Sequence, residues 1–212
     1  MKKVDLRKEL KHLYAPSAKK VEVVDVPAFQ FIMVDGIVEP GKEPAMSESF
    51  QEAIGALYGV SYTLKFASKL RKADPIDYPV MALEGLWWTG SGDLDFDKRD
   101  VWQWTLMMLQ PDHITAAMVQ EALEQQQKRR PNPALSMLRF ESFREGLCMQ
   151  IMHVGPYADE PHTVEKMAEF AQAHGYCMRG KHHEIYLGDP RRARPDRLKT
   201  VLRHPIELAA AS

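Results

Sequence analysis

YPVMALEGLWWT at residues 78–89 is followed, across Gly90-Ser91-Gly92-Asp93, by DVWQWTLMML at residues 100–109. Both runs are aromatic and aliphatic, and the polar, glycine-rich interval between them is turn chemistry, so together they read as a β-hairpin. Pro111 ends the second strand because proline offers no N–H to a ladder. Upstream, residues 21–38 (VEVVDVPAFQFIMVDGIV) read as a strand with an irregular start at Pro27, closed by Gly36 and Pro40-Gly41. Between that strand and the hairpin the period changes. Phe50, Ile54, Leu57, Tyr58, Tyr62 and the 64–66 stretch recur every three or four residues, which predicts an amphipathic helix capped by Ser47 or Ser49 and closed by Asp74-Pro75. Tyr58 and Tyr62, four apart, are expected in the core rather than in a site.

The same order recurs downstream. Residues 114–130 predict a helix rich in Gln and Lys, terminated by Pro131 and Pro133, which serves as a connector. Strands follow at 134–143 and 147–154 around Arg144-Glu145-Gly146, where Glu145 is expected on a solvated turn. A helix marked by Thr163, Val164, Met167, Ala168 and Phe170 ends near His174-Gly175. The last strands are 182–187 (HHEIYL) and 198–206 (LKTVLRHPI). Strand–helix–strand–strand therefore occurs twice. The expectation is an α+β fold in which one domain, residues 1–212, holds a βαββ repeat at 20–111, a connecting helix at 112–133 and a second repeat at 134–208. Leu83-Glu84-Gly85-Leu86-Trp87 matches His183-Glu184-Ile185-Tyr186-Leu187 loosely. Each antiparallel sheet would have one face under its helix and the other free to build a ligand pocket where the repeats join.

Composition narrows the function. Lys and Arg total 28 against 29 Asp and Glu, a formal net charge of −1, so the global attraction that nonspecific nucleic-acid binding requires is missing. The Lys128-Arg129-Arg130 and Arg191-Arg192-Ala193-Arg194 clusters read as solvated loop charge. No signal-type apolar run follows Met1, and no segment is long and apolar enough for a bilayer, so a cytoplasmic chain without membrane contact is expected. Cys148 and Cys177 lack the spacing and density of a disulfide scaffold and read as reduced. Phosphate-binding glycine motifs, a GxSxG elbow and metal-ligand spacings such as HxH or HExxH are all missing, so no cofactor and no metal are expected. No residue pattern sets an oligomeric state.

Chemistry is carried instead by carboxylate and aromatic residues on strands. Period-two geometry places His182, Glu184 and Tyr186 on one face of their strand, with His183, Ile185 and Leu187 on the other. The second set is expected to meet a helix. The first would then face the groove, where partial burial raises a carboxyl pKa and suits it to acid, base or counter-charge work. Trp102 and Trp104 share a face and could wall a site for planar or cationic ligands, or form a shielded aromatic pair. Trp87 and Trp88 are adjacent and must point oppositely, one to the core and one to the groove. Tyr157 follows His153-Val154-Gly155-Pro156 at a strand-to-helix turn, where side chains reach into sites or pack the turn.

With these residues in view, the chain resembles the stand-alone GyrI-like small-molecule-binding proteins, related to the effector domains of BmrR-type regulators and to gyrase inhibitory proteins. The resemblance spans nearly the whole chain and rests on DLRKELKHLYAPSAKKVEVVDVP, LEGLWW, WQWTLMMLQPDHIT, MQIMHVGPYADE and HHEIYLGDPRRARPDRLKTVLRHPI. It implies a duplicated βαββ fold with a pocket between the repeats. In the related regulators a buried glutamate among aromatics binds lipophilic cations. Glu184, Tyr186 and Tyr157 look like the corresponding equipment, with Trp87, Trp88, Trp102, Trp104, His153 and His182 as ligand-binding candidates. Some stand-alone members hydrolyse cyclopropanoid DNA-alkylating compounds, which would cast Glu184 as base and Tyr186 or Tyr157 as hydrogen-bond donor. The implied partner is a small planar molecule, bound for detoxification. Nucleic acid is not expected as a direct partner, since the helix-turn-helix segment of the regulators has no counterpart in these residues. The alternative reading is a protein-interaction module with a partner such as gyrase.

Overall fold

The structure, a computed structural model, describes residues 1–39, 42–90 and 102–209. Pro40-Gly41, most of the Gly90–Asp93 tip and the expected strand start at Asp100 and Val101 lie outside the described residues. The principal strands are β2 (Glu22–Ile37), β4 (Leu83–Trp88), β5 (Gln103–Gln110), β6 (Arg139–Val154), β8 (His182–Tyr186) and β9 (Lys199–Leu208). They pair antiparallel in the order β6-β2-β5-β4-β8-β9, and β9 pairs back onto β6, so these six close into a barrel. A short β7 (Tyr176–Met178) extends the sheet beyond β9, and β1 (Lys2–Lys3) pairs separately with β3 (Ile76–Asp77). Each βαββ repeat contributes three neighbouring strands. Equivalent strands meet across the repeats along two seams, β2–β6 and β4–β8.

The strand sequences explain the closure. Phe31, Ile32, Met33 and Val34 are consecutive and all buried, a run that only a strand covered on both faces tolerates. Ile32 and Val34 pack outward with Phe50, Leu57 and Val60 of α3 (Glu48–Lys69). Phe31 and Met33 point into the bore with Met107, Leu109, Ile185 and Val201. The second repeat covers its outer face with α5 (Glu160–Ala173), whose Met167 and Ala171 lie on Met149, Ile151, Leu202 and Ile206. Helix α4 (Ala116–Arg129) packs on α3, and two short helices, α1 (Leu6–Glu9) and α2 (Lys11–Tyr14), place Leu13 and Tyr14 against the bore. Ser47 is the cap of α3, accepting from the Phe50 N–H.

Five expectations are corrected. The inner sheet faces are not free to build a groove, because closing the barrel fills them with side chains. For the same reason His183 and Ile185 meet the barrel interior rather than a helix. Residues 139–154 form one continuous strand rather than two around a turn. The ladder is interrupted opposite Pro27, which has no N–H to give, and Gly146 takes the left-handed φ of 78° there. Glu145 sits at that break with its side chain turned inward, and it is buried rather than solvated. Lastly, Tyr58 and Tyr62 are not core. They stack on each other at the surface, on the side of α3 turned away from the barrel.

Candidate functional site

The β4–β8 seam brings the repeats together, and its outer face carries the candidate site. Register pairs Gly85 with Glu184, Trp87 with His182 and Leu83 with Tyr186. Period two then turns Gly85 and Trp87, with His182, Glu184 and Tyr186, to the outside. Across this face runs a hydrogen-bond chain. The Trp87 Nε1–H donates to the Tyr186 hydroxyl at 3.0 Å, and that hydroxyl donates to Glu184 Oε2 at 2.7 Å. The Tyr186 ring crosses Gly85, where a Cβ would stand 3.1 Å from its hydroxyl and 2.9 Å from Trp87 Nε1. Only a residue without a side chain lets the phenol and indole meet over the carboxylate.

Aromatic rings wall this chain. Phe50 of α3 and Trp102 each approach Trp87 at a centroid distance of 5.6 Å. Tyr157, in the turn before α5, stands edge-on to Tyr186 at 5.9 Å. Glu184 is 6% exposed and Tyr157 37%, so the carboxylate is buried beneath the ring wall and Tyr157 stands at the surface. Burial, with Glu160 and Glu184 nearby, pushes the Tyr157 phenol up to about 12. Burial and Glu184 likewise hold the Tyr186 phenol well above its usual range. Both phenols therefore act as donors at neutral pH. His182 Nε2 lies 3.6 Å from Glu184 Oε1. Burial, then His204 and His183, lowers its pKa to about 3, so its imidazole is neutral. The nearest groups named to Glu184 are thus a phenol and a neutral imidazole, with buried Glu160 acting on the same two tyrosines, and a carboxylate in that setting can hold a cation or take a proton from water.

The other expected residues divide. Trp104 is 1% exposed, wedged between Phe50 and Gly36, where a Cβ would lie 2.1 Å from its ring. It supports the wall from behind. Trp88 points to the opposite face from Trp87, as neighbours on a strand must, and packs with the interior cluster under the Lys181 ammonium, 3.3 Å from its ring. His153 Nδ1 is 2.9 Å from Thr163 Oγ1, and its Nε2 donates to the Pro156 carbonyl at 3.1 Å. It ties β6 to α5 and anchors the turn that carries Tyr157. Phe50 and Gly85 were not foreseen, although a glycine inside an aromatic strand signals close approach.

A second polar cluster, also unforeseen, lies on the inner side of the same seam. His183 Nδ1 faces Glu145 at 3.0 Å and its Nε2 faces Glu84 at 3.0 Å. Carboxylates only accept, so both ring nitrogens donate and the ring is an imidazolium. Burial opposes that charge, but Glu145 and Glu84 outweigh it and raise the His183 pKa to about 9. Glu145 is lowered to about 2 against its burial by His183 and Arg203. Tyr14 donates to Glu84 at 2.6 Å, and Arg203 donates to Glu145 and to the Leu13 carbonyl. Two carboxylates and two cations thus compensate inside the barrel, as buried charges must. Their partners come from five distant segments, and sequence spacing holds no trace of them.

The loose match of Glu84 with Glu184 is corrected by these positions. Glu84 faces inward and Glu184 outward, so the two glutamates are not equivalent in the fold.

Comparison with known proteins places this arrangement. An uncharacterized conserved protein from Listeria innocua has 40% identity and a TM-score of 0.86, over 96% of this chain and all of the other. A hydrolase encoded by lin2189 from Listeria innocua has 39% identity and a TM-score of 0.83, over 97% and 100%. The EcmrR C-terminal domain shares 10% identity at a TM-score of 0.55, over 90% of this chain and 98% of that one, which is a likeness of fold alone. Among curated protein sequences none matches. Residues 19–207 match the model of the GyrI-like small molecule binding domain. With its barrel of two βαββ repeats and a carboxylate–phenol–indole chain on their seam, the protein belongs to the GyrI-like small molecule binding domain family.

Proposed function

We propose that the outer cleft of the β4–β8 seam binds planar, lipophilic molecules with a cationic or electrophilic centre. The observation that carries this reading is the Trp87–Tyr186–Glu184 chain, which aims a buried carboxylate between aromatic walls. Phe50, Trp87 and Trp102 would stack on the ligand, and Glu184 would supply the counter-charge. Entry requires the Tyr157 ring to swing aside. Detoxification by sequestration is the simplest consequence.

The enzymatic form of this reading hydrolyses cyclopropanoid compounds, and the hydrolase relatives from Listeria innocua favour it. Glu184 takes a proton from water as the water oxygen bonds to a cyclopropane carbon. The strained C–C bond breaks, and its electron pair moves through the conjugated ring to a carbonyl oxygen, which becomes a phenolate. Tyr186 already accepts from Trp87 and donates to Glu184, so it positions the base. Tyr157 then serves as donor to the developing oxyanion. The phenolate takes up the proton that Glu184 gives back, so the net reaction adds water and regenerates the carboxylate.

Titration of the protein with rhodamine, read by tryptophan quenching, tests the binding site. Glu184→Gln is expected to weaken it about tenfold or more, the loss of one buried charge pair. Unchanged affinity would remove Glu184 from the site. Turnover of a cyclopropanoid substrate that survives Glu184→Gln intact would end the enzymatic form while leaving binding standing.

A further inference from the structure

A different surface runs along α3, beginning at Tyr58, which lies within electrostatic range of Tyr157. Tyr58, Tyr62, Phe66 and Leu70 recur every four residues along α3 and are 36%, 48%, 50% and 75% exposed. From Tyr58 to the C-cap Leu70 the stripe climbs twelve helical steps, about 18 Å. It forms one wall of a groove of about 870 Å³ whose other wall is α4 and the segment after it. The Tyr58 and Tyr62 rings are already stacked, 6.3 Å apart and 24° from parallel, so little side-chain freedom is left to lose on binding. The floor is shallow-sided because Gly55 and Gly59 replace side chains there. A Cβ on Gly59 would meet Gln126 at 2.9 Å, and Gln126 is itself pinned by its hydrogen bond to Thr63 at 2.7 Å.

The charged residues that line the groove are basic, while Asp189, paired with Arg191, acts on Tyr58 from beyond the lining. Helices α3 and α4 run antiparallel, tied by Ser68 to His113 at one end and by Asn132 to the Glu52 carbonyl at the other. Arg129 and Arg130 line the second end, and exposed Arg71 and Lys72 follow Leu70 at the first. Among the described residues none of these four cations forms an ion pair, and no Asp or Glu lines the groove. The α3 wall is therefore apolar along its length, the α4 wall carries Gln125 and Gln126, and both ends are basic.

We propose that the α3–α4 groove docks an amphipathic helix of a partner protein that carries acidic residues at both ends of its apolar face. A helix of three to four turns matches the stripe, and anchors spaced at four residues match its period. The concavity favours a helix over a flat membrane surface, and the uncompensated cations specify acidic flanks.

The test uses the full chain and a fluorescein-labelled synthetic 16-residue helix with Leu and Phe on one face and Glu at both ends. A Lys-ended twin and anionic vesicles serve as competing probes. Anisotropy is expected to show salt-sensitive binding of the Glu peptide, weakened about tenfold by Tyr62→Ser with Phe66→Ser, and similarly by Arg129→Glu with Arg130→Glu. These positions are exposed, and unchanged circular-dichroism melts verify folding. Rhodamine binding at the Glu184 cleft is expected to persist in every variant, which separates this proposal from the preceding one. Equal binding of the Lys twin, or no peptide binding, overturns it. So does vesicle binding without peptide binding, or self-association abolished by Phe66→Ser.

Discussion

Gly85 shows how much a single absent side chain determines. In Gly85→Ala the new methyl would press on Trp87 Nε1 and the Tyr186 hydroxyl, and one of these must shift. Rhodamine affinity is expected to fall about tenfold with a thermal midpoint lowered by only a few degrees, since the strain falls on side-chain atoms rather than on backbone. A normal affinity would mean that the phenol does not steer Glu184. Tyr186→Phe separates positioning from packing. It keeps the ring but strips Glu184 of a donor and leaves the buried Trp87 N–H without its acceptor, at a cost of about 1–3 kcal/mol in unfolding free energy by denaturant titration. Glu184 and Tyr186 were legible in the strand HHEIYL, because period two alone puts them on one face. Phe50 was legible as a helix position but not as a wall, because a helix period does not say what the helix packs against.

At the scale of elements, β8 carries opposite duties on its two faces, neutral His182 with Glu184 outside and charged His183 inside. The inner cluster couples β8 to β6 and β9, and Glu145→Gln leaves His183 its Glu84 partner while Arg203 keeps only neutral acceptors, Gln150 and the Leu13 carbonyl. A loss of about 3–5 kcal/mol in chemical denaturation is expected, and a loss under about 1 kcal/mol would show that the cluster does not hold the seam. Stability should also depend on pH in two directions. The His183 pKa is raised to about 9 from an ordinary 6.5, so its contribution is complete below 6.5 and is lost as pH rises through 9. The His182 pKa is lowered to about 3, so the unfolded chain takes that proton first and stability falls as pH drops from 6.5 toward 3. Glu145 adds a further loss below 4.5 as pH falls through about 2. The melting midpoint is expected to peak near neutral pH, with the alkaline limb flattened in His183→Gln. An alkaline limb unchanged in that variant would assign the titration elsewhere.

At the scale of the molecule, the matched family domain begins at residue 19, yet residues 12–17 are built into the barrel. Tyr14 reaches Glu84, Arg203 holds the Leu13 carbonyl, Gln150 holds the His12 carbonyl and the Met152 N–H donates to Ser17. Removing residues 1–18 is expected to lower the melting midpoint by roughly 10 °C or more and to raise hydrophobic-dye fluorescence, because Leu13 and Tyr14 cover the bore. An unaltered melt would make the segment dispensable. What the sequence determined alone were the local periods: the two strand–helix–strand–strand series, the breaks at prolines and glycines, and which residues of each strand share a face. These follow from backbone geometry and solvent partition within a few residues. The closure of both sheets into one barrel, the position of the candidate site residues on an outer seam rather than in an inner groove, and the burial of Glu145 and His183 were decided by the tertiary structure. They depend on which distant strands pair and on charges that are stable only when their partners arrive from elsewhere in the chain.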